Sequence, residues 1–172
     1  MPRENHAIEA PVVDRGDSID VPSSQDGVEA CVPAGAGWTG EFVVEHSVEF
    51  VTPLRRESVV DAMVVEDRDG CGTVCVDSTQ ANGHGCVIVG RVVSADAASL
   101  VVSDRTEALC RVRFRRDGDR VSIDGDEPAG CVLCGVRASL DAIEFDLSDG
   151  PATDSERSAI RSCRRRVGDL DR

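Results

Sequence analysis

The 172-residue chain carries 32 acidic and 19 basic side chains, a formal net charge of −13. It contains no run of roughly 18 consecutive apolar residues, the length a helix needs to span a bilayer, and its charge disfavours anionic surfaces, so no membrane partner is expected. Every basic residue is arginine, Asp outnumbers Glu, and aromatics make up 3% of the chain, so any core must be built mainly from Val, Ala and Leu.

Residues 1–37 mix Pro, Gly, Ser and Asp with short apolar runs. Such a segment buries too little apolar surface to offset its ordering entropy and reads as a flexible acidic N-terminal segment, with an edge strand at 28–32 as the alternative. Its first residues, "MPRENHAIEAPVVDRGDS", lack the charged-then-apolar order of a secretory leader, so the expected location is cytoplasmic. Trp38 marks the start of the folded part. In "EFVVEHSVEFV" (41–51), Phe42, Val44, His46, Val48 and Phe50 share one face and Glu41, Val43, Glu45, Ser47 and Glu49 the other, the alternation of a half-buried antiparallel strand. On this reading His46 is a core histidine before it is a ligand or a base. Further strands are predicted at 58–67, 73–77, 86–94, 99–104, 110–116 and 119–124, with turn chemistry such as "DRDGCG" between them. Segment 38–127 is therefore expected to be barrel-like. Segment 128–172 adds a CxxC pair, a short strand around Ile143–Leu147 and a helix over 154–167, whose start carries the Thr153/Glu156 capping-box spacing. The fold class is mainly β: a small antiparallel barrel or sandwich with a short C-terminal helix.

Three resemblances sharpen these expectations. The acidic, lysine-free composition resembles proteins of salt-in halophiles, whose dense carboxylate surfaces are screened in brine; a high-GC coding bias is the alternative. The hairpin "VGRVVSADAASLVVSD" resembles those of small barrel modules such as OB, Sm-like or SH3-like folds. "CVLCG" (131–135) resembles one knuckle of a zinc ribbon, although no second CxxC completes that pattern.

Eight cysteines in a chain expected in a reducing compartment read as metal-binding, redox or buried residues before disulfides. A zinc site needs four ligands, and Cys131 and Cys134 would be completed by Cys71 and Cys75. That second pair can share an ion only if the backbone bends at "GCG", because an extended strand separates them by about 13 Å. His84 and Cys86 are further candidates, while Cys110 and Cys163 read as small buried residues. The alternative use of Cys131 and Cys134 is thiol redox or metal handling, but the glycine and strand-like run that follow are not the helix N-terminus that lowers a thiol pKa.

Two basic clusters stand out on an acidic chain. Arg111, Arg113 and Arg115 lie on one face of "CRVRFRR", and Arg164, Arg165 and Arg166 end the predicted helix. Each could follow a phosphate backbone or meet a protein partner, and each could equally pair with neighbouring carboxylates or complement a helix dipole. No phosphate loop, nucleophile elbow or HExxH pattern occurs. The expected role is a non-enzymatic binding or regulatory module, with zinc as its candidate stabilising ion, that contacts protein or nucleic acid.

Overall fold

The computed structural model describes residues 30–51, 54–105, 110–124, 133–135, 138–148 and 150–170. They form strands β1 (Gly40–Val51), β2 (Leu54–Arg68), β3 (Cys71–Thr79), β4 (Gly85–Ala95), β5 (Ser99–Asp104), β6 (Arg111–Asp117), β7 (Arg120–Ile123) and β8 (Glu144–Asp146), followed by helix α1 (Asp154–Gly168). Each strand pairs antiparallel with its neighbour in chain order, and β8 comes back against β1, giving a nearly closed eight-stranded barrel. The mainly β expectation holds as a barrel with one C-terminal helix. Of the alternative edge strand at 28–32, residues 28 and 29 lie outside the described set and residues 30–32 are not in a strand.

Alternation places the core. Phe42, Met63, Val76, Ile88, Phe114 and Phe145 all point into the barrel and are buried. The strand ends depart from the sequence reading where polarity and pairing disagree. β2 begins at Leu54, well before the expected Ser58, because the exposed "LRRE" stretch is carried by its ladder to β1, from Val51↔Leu54 to Val48↔Glu57, and not by burial. The Asp69–Gly70 turn between β2 and β3 has positive φ at both residues (52° and 80°), the mirror-image geometry that matches strand twist.

β2 and β3 are buried on both faces from Asp61 to Val65 and from Gly72 to Val76. The outer face is covered by α1, whose Ile160, Cys163 and Val167 recur at intervals of three and four residues and so form one stripe. They pack on Val43, Ala62, Val64 and Cys75. Burial of Ile160 and Val167 contributes on the order of 1.5–3 kcal/mol for each side chain. The helix starts with the expected capping box: Thr153 Oγ1 accepts from the Glu156 N–H at 3.2 Å, and Glu156 Oε2 accepts from the Thr153 N–H at 2.6 Å and the Ala152 N–H at 2.8 Å.

The two barrel ends are closed by irregular chain. At one end residues 31–38 cross the mouth: the Val32 N–H donates to the Val92 carbonyl and the Gly72 N–H donates to the Val32 carbonyl, both at 2.9 Å. Asp67 accepts from the Ala34 and Gly35 N–H groups at 2.7 and 3.1 Å, and Trp38 is buried with its indole N–H on the Asp96 carbonyl at 2.7 Å. Residues 30–37, expected to be flexible, are thus bonded across the barrel mouth. At the other end Leu133, Leu140 and Ile143 fill the opening.

Two predictions follow from this packing. A Cβ on Gly90 would overlap the Ser103 carbonyl oxygen and meet Val102 Cγ1 at 2.7 Å, so Gly90→Ala should lower the urea-unfolding free energy by about 1–3 kcal/mol. The backbone N–H groups of Thr153 and Ala152 hold the Glu156 carboxyl below its ordinary value. A depressed folded-state value means that the cap's contribution is complete above the ordinary glutamate range and is lost as pH falls through the lowered value. Helical circular dichroism should decline over that acid range in the native chain, and Glu156→Gln should flatten this part of the profile.

Candidate functional site

The cysteines are joined in a pattern that differs from a metal knuckle. Cys31 is bridged to Cys71, Cys75 to Cys163 and Cys86 to Cys134, and Cys110 is also disulfide-bonded. Cys71 and Cys75 both lie on β3, which stays extended between them, so the bend that a shared ion would require is not made. Each is turned instead to a different partner, and a cystine sulfur has no thiolate to offer a metal. The expected Cys71/Cys75/Cys134 zinc ligands are thus corrected to half-cystines, and no group of three or more His, Cys, Asp or Glu side chains among the described residues is arranged to hold a metal. Cys131 lies outside the described residues. The pairing of Cys134 with the fully buried Cys86 removes Cys134 from the expected redox pair. Cys110 and Cys163 are buried as expected, but as cystines and not as free thiols.

The barrel interior holds one polar cluster that the sequence reading did not assemble. Asp61, 3% exposed, sits opposite Val44 on the inward face of β2. Its Oδ2 accepts from the Ser78 hydroxyl at 2.8 Å and its Oδ1 from the Thr79 N–H at 2.8 Å. His46 Nε2 lies 3.2 Å from the same Oδ2 but without the alignment of a hydrogen bond. Serine, histidine and aspartate are therefore together, yet not in the order that activates a nucleophile: the serine proton goes to the carboxylate, and Ser78 is 1% exposed. The arrangement satisfies a buried carboxylate and pins β2 to the end of β3. His46 occupies the inward face as expected, with its side chain 35% exposed. The signal for Asp61 was present in "SVVDAMVVED", where a lone acid interrupts an apolar run.

The basic clusters lie on different elements, and three of their six arginines are engaged by carboxylates. Arg111, Arg113 and Arg115 all project outward from β6, alternating with buried Val112 and Phe114. The Arg115 guanidinium binds Asp124 at 2.8 Å. On α1, Arg164 binds Glu41 and reaches Glu66 at 3.6 Å, and Arg166 binds Asp77 at 3.2 Å, so these side chains tie the helix to β1, β2 and β3. Arg165 is exposed in the last turn of α1. A shallow cleft beside Trp38 is lined by Pro33, Ala34, Gly37, Ala95, Asp96 and Arg116. Its polar groups are consumed internally: Arg116 donates to the Gly37 and Gly118 carbonyls, and the backbone N–H groups of Ala98 and Ser99 hold the Asp96 carboxyl below its ordinary range.

The most open feature is the β1–β2 hairpin. The β2 ladder to β3 begins at Ala62↔Asp77, so Leu54–Val60 are paired to β1 alone. This arm leans on the turn at Ala81–Gly83, where the Val51 N–H donates to Asn82 Oδ1 at 2.8 Å. Arg55 stacks over the Phe50 ring at 4.5 Å, and the tip exposes Val51 and Leu54. Comparison with protein-family models, with curated proteins and with solved structures finds no match for this chain.

The Cys75–Cys163 bridge closes a loop with a sequence separation of 88 beneath α1. Replacing both residues by alanine should lower the unfolding free energy by about 2–4 kcal/mol. The outer face of β2 should then gain amide hydrogen exchange before the barrel interior does, as read by mass spectrometry.

Proposed function

We propose that this chain is a non-enzymatic binding module of an oxidising compartment, which contacts a protein partner in preference to nucleic acid. The observation that carries this reading is the set of three cystines tying the N-terminal segment, the 133–135 segment and α1 to strands of one barrel. Such cross-links persist where glutathione and thioredoxin do not reduce them. They favour an oxidising location over the cytoplasm expected from the first residues, and a rigid display surface over thiol chemistry.

The partner class follows from the charges. A surface that tracks phosphates needs several uncommitted cations along one face, whereas Arg115, Arg164 and Arg166 are held by Asp124, Glu41 and Asp77. Phe114, the aromatic nearest the β6 arginines, is buried and unavailable for base stacking. The zinc-stabilised form of the module is given up in this reading, since cystines supply the cross-links that a structural ion would have made.

Cell fractionation of a producing strain with thiol-blocked mass mapping tests the compartment. The Cys31–Cys71, Cys75–Cys163 and Cys86–Cys134 peptides should come from the extracytoplasmic fraction, and recovery of the reduced chain from the cytoplasm overturns the reading. Saturable binding of a single-stranded or duplex oligonucleotide near 50 mM salt, weakened by Arg111→Ala and Arg113→Ala, overturns the choice of partner.

A further inference from the structure

We propose that the free edge of β1 accepts an extended peptide strand bearing basic side chains at alternate positions. This inference rests on the reading of the chain as a binding module and names its partner. β1 runs for 12 residues and is paired along its whole length with β2. Among the described residues its other side meets the Ala81–Gly83 turn at the Val51 end and β8, which is 3 residues long and forms no ladder with it. Beyond the β2 ladder, the one bond from the β1 backbone among the described residues is the Val51 N–H to Asn82.

An antiparallel strand turns the N–H and C=O of alternate residues away from its partner. Along β1 these groups form a row that an added strand can pair with, as in β-augmentation, where main-chain bonds supply affinity and alternate side chains supply specificity. The outward row carries Glu41, Glu45 and Glu49, of which Glu45, without an ion pair among the described residues, is the acid left for a basic partner. Glu41 is engaged by Arg164 and Glu49 by Arg56, but Glu45 takes only the Ser58 hydroxyl. Across the opening, β8 adds the exposed Glu144, itself bound to Arg120. A second copy of β1 laid on this edge would bring carboxylate rows together, which is destabilising for directly opposed like charges. The same acids that reject a second copy favour a strand of opposite sign. On the other face the added strand would lie beside the buried Val48 and half-buried Phe50, which suits small β-branched residues between the basic ones.

The test uses a capped nine-residue peptide alternating Thr and Lys, its Thr/Glu counterpart, and two versions of the Lys peptide N-methylated at alternate amides in either frame. Binding is followed by fluorescence anisotropy at low ionic strength, and its location by hydrogen exchange of the whole oxidised chain. The Lys peptide should bind and protect amides of β1, the Glu peptide should not bind, and one of the two N-methylated frames should abolish binding. Glu45→Lys with Glu49→Lys should weaken the Lys peptide by roughly tenfold or more and admit the Glu peptide; should this variant fail to fold, the N-methylated pair decides on the native chain. No binding, protection away from β1, or binding indifferent to both N-methylated frames overturns the proposal. Concentration-dependent self-association that protects β1 overturns it in favour of a second copy. None of these outcomes touches the compartment test, so the module reading fails only on its own measurements.

Discussion

The molecule depends on one constraint: β2 and β3 are apolar on both faces at mid-length, while a curled sheet can cover only one. The inner face is satisfied by the barrel itself. The outer face, with Ala62, Val64 and Cys75, would remain in water unless another element were brought over it. α1 is that element, and its three-and-four stripe, its ion pairs to Glu41 and Asp77 and its cystine to β3 all serve the same contact. The exposed ion pairs contribute little individually, roughly 0–1 kcal/mol each. Their effect is to fix the rotation and slide of the helix once apolar burial has brought it close.

Much of this architecture was legible in the residues. The "EFVVEHSVEFV" alternation identified β1, and "SLVVSD" matched β5 from end to end, because half-buried strands record their two environments in successive side chains. The capping box located the start of α1 for an equally local reason. "AMVV" and "TVCV" also carried the information that their strands are covered twice, since continuous apolar runs mark burial on both faces. What the runs could not say is which element provides the second cover, because Ile160, Cys163 and Val167 meet β2 from about a hundred residues away, as the Cys163 to Ala62 contact shows.

The cysteines were misread for a different reason. Eight cysteines, if all paired, allow on the order of a hundred pairings, and their spacing in the chain says nothing of their spacing in a barrel. "CVLCG" looked like a chelating pair because its members are near in sequence, yet Cys134 reaches back to Cys86 across a separation of 48. The Asp61 cluster escaped in the same way: His46, Asp61 and Ser78 belong to three strands, and only the register of β1, β2 and β3 brings them together. The arginines of β6 and α1 are exposed, and the carboxylates that engage three of them come from elsewhere in the chain, a pairing that local sequence does not record.

The two cystines on β3 have a mechanical consequence. Cys71 is bound to Cys31, ahead of the whole barrel, and Cys75 to Cys163, behind it. Tension applied to the chain before Cys31 and after Cys163 therefore passes through one bridge, along the few residues of β3 between Cys71 and Cys75, and out through the other. The remaining strands, and the long stretch of chain from β4 to the start of α1, lie off the load path. Under pulling, the domain would act as a short covalent strap that carries a barrel at its side, and the barrel would keep its fold under strain.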